Sequence, residues 1–393
     1  MKKKIFALFL KPKIIFIVYF LFAFIAGLQS SCFGSRMAQN HVVQNSRNNN
    51  YIIFKQSYFH LLNGKNLYQS FPAEHWDLYK YSPTFALFFG LFANFPDVVG
   101  NSLWTILNVI VLFFAINFFP IPDVKKRSLI LIFVFIELFT SIQNNQSNAL
   151  IAGLIIFAFG FFEREKYFWA PLFLILTVFI KLFGIVAFAL FIFYPQKWKI
   201  IIFSFFWFLI LLLLPLIVVH LDQLGILYSS WYHLLKEDYS NSFGYSVMGW
   251  LTTWFHLDFP KNIVLITGLV LFCLPLVRIK QYKNFEFRIF TLSSILLWVV
   301  LFNHKAESPT FIIAICGVGI WYFSQEKKMA NFVLLMFVFI ITSLGSTDIF
   351  PKFIKNNYFG PYVLKVVPCI FIWIKIIYDM IKIKSTDKIR ANV

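Results

Sequence analysis

The chain has 393 residues, of which 60% are hydrophobic, 21% are aromatic and only 13% are charged. Soluble proteins carry about 25% charged residues, so this composition excludes an ordinary soluble protein and predicts an integral membrane protein. The formal net charge of +18 would suggest nucleic-acid binding in a soluble chain. Here the basic residues stand in small groups between apolar runs, as topology signals do, so no nucleic-acid partner is expected.

Apolar runs follow one another along almost the whole chain, for example Ile200–Val219 and Ile263–Val277. A helix needs roughly 20 such residues to cross a bilayer core, and the runs lack the alternation of a β-barrel. Because backbone groups must be hydrogen-bonded internally in lipid, the sequence predicts an all-α polytopic membrane protein. Residues 1–393 are expected to form a single integral membrane domain.

Short loops rich in Lys and Arg stay in the cytoplasm. If every such group, including Lys2–Lys4, lies inside, the chain must cross the membrane an even number of times between successive groups. Twelve crossings satisfy this rule and leave both termini in the cytoplasm, with the first helix retained rather than cleaved as a signal peptide. They are expected at 14–28, 98–119, 128–142, 149–163, 167–180, 182–194, 200–219, 262–277, 288–302, 309–323, 329–344 and 361–379.

The same assignment keeps residues 82–96 from crossing, so they are expected to form an interfacial or re-entrant helix on the outer face. The outer loops, with 29–97 and 220–261 the longest, hold most of the polar residues that do not set topology. The inner loops are short and basic, and neither GxxxxGK[ST] nor GxGxxG occurs, so no soluble nucleotide and no cofactor is expected. No metal is expected either, because HExxH and Cys spacings are absent. The chemistry is therefore predicted at the outer surface.

The first outer loop contains a candidate amphipathic helix, Tyr51–Leu62. Its apolar residues fall on one face, with Gln56, His60 and Asn63 opposite, and Gly64 follows as a stop signal. This pattern predicts a helix that lies on the bilayer surface.

A dense polar stretch follows, with Glu74, His75, Asp77, Lys80 and Tyr81 close together. One interpretation is a loop that binds a sugar or a head group and supplies a general base. The other is an interfacial aromatic belt with solvated charges. Residue content alone leaves both open.

Amide side chains crowd the segment 141–148, which includes Gln146 and Asn148. Such side chains can cap the following helix. Five amides exceed the need of a cap, however, and amides also bind sugar hydroxyls or phosphate oxygens. A binding role is therefore predicted for this segment.

Lys181 stands alone in an otherwise apolar stretch. A charge within a membrane segment is costly and indicates a functional site. If two short helices, 167–180 and 182–194, meet there, Lys181 reaches head-group depth and can contact a lipid phosphate. The alternatives are snorkelling to the surface or an ion pair with Glu137.

Two further outer segments supply candidate binding residues. Asn241 lies in the loop 220–261, and His304 and Glu307 lie in the compact segment Asn303–Ser308. These side chains are predicted to line the same outer site.

Four segments of the sequence together resemble glycosyltransferase family 87, which belongs to the GT-C class of membrane glycosyltransferases. They are NGKNLY, YKYSPTFALFFGLFANFP, IQNNQSNALIAGLIIFAFGFF and LTVFIKLFGIVAFALFIFYPQKW, and the resemblance covers most of residues 40–320. It implies a GT-C-like bundle with outer amphipathic or re-entrant helices. It also implies a polyprenyl-phosphate-linked hexose, with mannose as one candidate, as donor and a lipid or glycan as acceptor in a bacterial inner membrane.

Applied to this chain residue by residue, the resemblance implies that Gln146 and Asn148 line the site and that Lys181 faces the donor phosphate. The family's catalytic acidic residue falls on Asn50, and an amide cannot act as a general base. The prediction is therefore an inverting hexosyltransferase in which Asp77 or Glu74 has taken over as base. The rival readings are a lipid or lipid-linked-sugar flippase and an inactive relative that binds lipid-linked sugar.

Overall fold

The computed structural model describes residues 10–33, 36–39, 42–45, 48–237 and 243–383. This part of the chain is almost entirely helical, as predicted. Its α-helices are α1 (Pro12–Cys32), α2 (Asn49–Leu62), α3 (Pro83–Ala93), α4 (Asp97–Phe118), α5 (Val124–Gln143), α6 (Asn148–Glu163), α7 (Trp169–Ile180), α8 (Lys197–Leu213), α9 (Leu221–Glu237), α10 (Val247–Phe255), α11 (Lys261–Cys273), α12 (Phe285–Leu301), α13 (Phe311–Ser324), α14 (Met329–Phe337), α15 (Lys352–Ile354) and α16 (Val367–Lys382).

Tighter and wider helical turns connect or extend these helices. The 3₁₀ segments are Leu182–Phe193, Leu214–Ile217, Leu274–Val277, Ile279–Gln281, Ser308–Thr310 and Leu364–Val366, and the π-helical segments are Val338–Leu344 and Lys355–Phe359. The exception to the all-α prediction is a small antiparallel hairpin of β1 (Arg36–Gln39) and β2 (Val42–Asn45). It lies in the predicted outer loop 29–97.

Within the described residues, three helices are long and apolar enough to cross a membrane: α1, α4 and the continuous helix Lys197–Ile217. Large apolar side chains of α8 point away from the protein, and Phe205 is 63% exposed. Such a surface is unfavourable in water and fits contact with lipid. Several other predicted crossings are shorter apolar helices, so the number twelve stays a prediction.

The centre of the bundle is formed by α6, α12 and α13, whose side chains are almost all buried. Small residues let these helices approach closely. A side-chain carbon at Gly153 of α6 would lie 3.1 Å from Leu112 Cα of α4, and one at Gly317 of α13 would lie 2.8 Å from Ser293 O of α12. This packed centre fixes the ends of the helices that carry the candidate site.

The helix predicted at Tyr51–Leu62 is present as α2, and Gly64 follows it with a φ of +66°. Phe54 of this helix packs its ring 5.2 Å from Phe85 of α3 and 5.8 Å from Trp104 of α4. His60, expected on the polar face, is buried beside the Phe71 ring and the Glu74 carboxylate. Helix α2 is therefore packed against α3 and α4, while Leu62 and Asn63 at its end are exposed; that it lies on the bilayer surface stays a prediction.

Helix α3, which corresponds to the predicted non-crossing segment 82–96, has 11 residues. At about 1.5 Å per residue it is roughly half as long as a bilayer core is thick. Its length fits the interfacial or re-entrant helix that was predicted there.

The apolar stretch around Lys181 is broken in two, as predicted. Helix α7 ends at Ile180, Lys181 is extended with φ −145° and ψ 125°, and a 3₁₀ helix starts at Leu182. The two segments pack against each other, and a side-chain carbon at Gly184 would overlap Thr177. Because the two helical segments pack closely against each other, Lys181 lies at the turn between them, where it lines the cavity described next.

Candidate active site

A cavity of about 1030 Å³ opens between the start of α2, the end of α5 and the loops that follow α12. Its size suits a substantial organic ligand, and polar side chains from several parts of the chain converge on it. The predicted site residues that line it are Asn50, Asp77, Lys80, Tyr81, Gln146, Lys181, His304 and Glu307. These residues are far apart in sequence, so the fold brings together most of the predicted site.

Three predicted residues stand apart from this lining. Asn148 contributes indirectly, because its side chain accepts a hydrogen bond from Lys181. Glu74 does not line the cavity and is paired with His60, with 3.0 Å between Oε2 and Nε2. Asn241 lies outside the described residues.

Amide oxygens hold the Lys181 ammonium group in the cavity wall. Its Nζ donates to Asn148 Oδ1 at 2.9 Å and to Gln146 Oε1 at 3.2 Å, and it lies 5.6 Å from the centre of the Tyr81 ring. Burial lowers the pKa of Lys181 to about 8, and the carboxylate of Glu307 opposes part of that shift. Lys181 is therefore mainly protonated at neutral pH, and the two amide oxygens orient its ammonium group in the cavity wall.

The ion pair between Lys181 and Glu137, one of the alternatives left by the sequence, is not formed. Glu137 pairs instead with Lys365, with 2.9 Å between Oε1 and Nζ. The physical reason is packing, because both members of this pair are buried between helices away from the cavity.

The block Tyr81-Ser82-Pro83 ties the cavity wall to the end of α7. Ser82 Oγ donates to Phe179 O at 2.6 Å and accepts from Phe85 N, so it caps α3. Pro83 takes the first helical turn, where its missing N–H has no cost. Tyr81 is thereby fixed between Phe54 and Lys181.

In the amide-rich segment 141–148, some side chains stabilise the fold and others face the cavity. Asn145 adopts a positive φ of 52°, and its Nδ2 donates to Asn101 Oδ1 at 2.6 Å. Asn145 also accepts from Trp104 Nε1 at 2.9 Å through its carbonyl. Asn145 therefore anchors the segment to α4, which leaves Gln146 and Asn148 to face Lys181.

Asp77 is the carboxylate of the aromatic loop that faces the cavity. It is 43% exposed and lies 3.3 Å from Lys80 Nζ, and its Oδ1 accepts from Leu78 N at 2.8 Å. The ring nitrogen Nδ1 of His75 bonds to Asp77 O at 2.7 Å, and burial lowers the pKa of His75. His75 is then neutral and donates this bond, which fixes the turn that presents Asp77.

Glu307 is a second carboxylate of the cavity wall. It caps the short 3₁₀ helix Ser308–Thr310 in a reciprocal arrangement with Thr310. Its Oε2 lies 3.4 Å from Gln146 Nε2, which connects it to the partner of Lys181.

Asn50, at the position where the resemblance places an acid, makes a bond that a carboxylate could not make. Its Nδ2 donates to Asn144 O at 2.9 Å. The amide therefore holds the start of α2 against the segment 141–148.

Sequence analysis missed Gln29 and Ser30 at the end of α1, as well as Thr310, all of which line the cavity. Polar residues at the outer end of a predicted span were the available signal for Gln29 and Ser30. No group of three side chains suited to hold a metal ion occurs in the described part of the chain.

Comparison with known families gives one match that covers more than half of the chain. The sequence profile of glycosyltransferase family 87 matches residues 79–303, a range that includes Lys80, Tyr81, Gln146 and Lys181. No curated protein matches the chain. The family match and the apolar helices together identify a membrane protein of the transferase class, and the chain belongs to glycosyltransferase family 87.

Proposed function

We propose that this protein transfers a hexose, mannose being one candidate, from a polyprenyl phosphate to a lipid or glycan acceptor. The transfer takes place on the outer side of a bacterial inner membrane. The observation that carries the proposal is the Lys181 ammonium group, which neutral amides hold in a polar cavity together with carboxylates. Such a cation suits a phosphate that gains negative charge as it leaves.

The reaction is a single displacement with inversion. The acceptor hydroxyl oxygen forms the new bond to the anomeric carbon, while the bond between that carbon and the donor phosphate oxygen breaks. The phosphate leaves with the bonding electron pair next to Lys181, and the hydroxyl proton goes to a general base.

Asp77 is the base that fits this scheme best. It lies in the cavity wall and is partly exposed, whereas Glu74 is engaged with His60 outside the lining. Tyr81 and Trp76 offer aromatic surfaces against which a sugar ring can pack. A donor that resides in the membrane also explains a site built without a nucleotide-phosphate loop.

The test is transfer of a labelled hexose from a synthetic polyprenyl-phosphate sugar by the purified protein in lipid nanodiscs. Transfer to added membrane lipid, with inverted stereochemistry at the anomeric carbon, is the expected result. A protein that binds the donor tightly without turnover would instead be an inactive relative. Movement of intact lipid-linked sugar between leaflets, without transfer, would favour the flippase.

A further inference from the structure

A second cavity, of about 440 Å³, lies beside the segment that connects α14 to α16. It shares no lining residue with the larger cavity. Its lining includes the polar residues Ser308, Ser346, Lys355, Asn356 and Lys365, which follow the residues that match the family, and Tyr245, which lies within them. It therefore needs its own explanation.

One side of this second cavity is fixed by the buried pair of Lys365 and Glu137. Lys365 Nζ also donates to Ser308 Oγ at 2.8 Å and to Ser346 Oγ at 3.3 Å. The charge of Lys365 is thus matched by Glu137. Because Ser308 Oγ accepts from Lys365, its own O–H remains a donor that can turn to a ligand.

The other side carries Lys355, whose side chain is 22% exposed. Its salt-bridge partner, Asp348, lies 2.7 Å away and is 99% exposed. Solvent screens such a pair, so its contribution is small and an anion in the cavity can replace Asp348. Asn356, next in the chain, adds two amide donors.

Exposed apolar side chains lie on the same stretch of chain as the lining residues Lys355 and Asn356. Ile349 and Phe353 are 69% and 67% exposed, and Tyr358 and Tyr362 are also exposed on the same segment. Aromatic side chains beside lysines are typical of the boundary between a bilayer and water. A ligand in this cavity meets cationic and hydroxyl groups, and the chain segment that lines it also carries exposed apolar side chains; this combination suits an anionic amphiphile.

We propose that the second cavity binds the phosphate group of an anionic glycerophospholipid. Lys355 pairs with the phosphate, and Asn356 and Ser308 donate hydrogen bonds to its oxygens. The acyl chains run along the exposed side chains of Phe353 and Ile349. The proposal is independent of sugar transfer, because the two cavities have separate linings.

Native mass spectrometry of the full chain, with phosphatidylglycerol and phosphatidylcholine added at equal concentrations, tests this site. Wild type should retain phosphatidylglycerol about fivefold better, which is what one lysine near the surface contributes. Lys355→Gln should remove that preference and Lys355→Arg should keep it. Lys352→Gln is the matched control, since Lys352 is exposed on the same segment and does not line the cavity.

Retention of the preference by a folded Lys355→Gln variant would overturn the proposal. Equal loss in Lys355→Gln and Lys352→Gln would also overturn it, because it would reveal diffuse attraction and no defined site. Displacement of the lipid by equimolar glycerol 3-phosphate would assign the site to a soluble phosphate ester. Folding of each variant is checked by its unfolding temperature in detergent.

Discussion

Two regions of the molecule each hold a lysine within a polar cluster, half-buried for Lys181 and fully buried for Lys365, and they hold it in different ways. In the large cavity, Lys181 is bound by the amide oxygens of Gln146 and Asn148. Between the helices, Lys365 is bound by the carboxylate of Glu137 and by two hydroxyls. The first arrangement places the ammonium group in the wall of a cavity where a ligand can meet it, whereas the second pairs the ammonium group with a buried carboxylate.

The carboxylates follow the same division. Asp77 of the cavity is partly exposed and open to the space that a ligand would fill, whereas Glu137 is fully buried. Charge that is matched internally serves the fold, because leaving a partner alone in a low-dielectric interior is costly. Substitutions in the cavity should therefore change transfer, and substitutions in the buried pair should change stability.

The largest effect is expected for Asp77→Asn. Loss of a general base typically lowers a rate about 10²–10⁴-fold, whereas the half-exposed position leaves folding little affected. The measurement is the turnover of labelled donor, normalised to folded protein. Glu74→Gln is the matched control and should retain transfer. Normal turnover by the Asp77→Asn/Glu74→Gln double variant would rule out both residues as the base.

The next effect is on stability, for Glu137→Gln. It leaves the Lys365 ammonium without a counter-charge, and breaking a buried pair costs about 3–5 kcal/mol. The double variant Glu137→Gln/Lys365→Met should recover part of this loss, because no charge is then buried alone. The exposed acid of another pair serves as control, and Asp348→Asn should leave the free energy of unfolding nearly unchanged. Equal losses of stability for Glu137→Gln and Asp348→Asn would show that the buried pair does not stabilise the fold more than an exposed pair.

Lys181→Met should lower the rate of transfer and leave stability intact, the opposite of the effect expected for Glu137→Gln. Removal of one group that stabilises developing charge costs about 10²–10³-fold in rate, while stability is kept or raised because a buried charge disappears. Transfer by wild type should also fall above pH 8, where Lys181 loses its proton. Lys181→Arg, which stays charged, should lack that fall. A variant Lys181→Met that unfolds easily yet keeps its rate per folded molecule would make Lys181 structural.

Sequence reasoning succeeded where single residues stand out against an apolar background. The end of α2 before Gly64 and the break at Lys181 both follow from a flexible or a polar residue in an unexpected place. These signals are local, so no knowledge of helix packing is needed to read them.

Sequence reasoning failed where packing decides. Glu137 and Lys365 are 228 positions apart, and nothing in their spacing favours that pair over Glu137 with Lys181. The burial of His60 likewise depends on Phe71 and Glu74, which follow the helix and pack against this side chain. The number of crossings stays open for a related reason, since apolar runs such as 329–344 pass from α-helix to π-helix, and hydropathy does not reveal such changes.

The smallest effect is expected for Asn50→Asp, and it separates an active enzyme from an inactive relative. The exchange removes the donor that bonds Asn144 O and brings a carboxylate next to that carbonyl oxygen, which should cost about 1 kcal/mol of stability. The N-terminus of α2 favours a negative charge and offsets part of the loss. Asn50→Ala, which removes the bond without adding a charge, measures the structural share alone. If Asp77 is the base, both variants should transfer sugar at close to the wild-type rate. If wild type is inactive and Asn50→Asp gains transfer while Asn50→Ala does not, the absence of an acidic residue at position 50 explains the lack of activity.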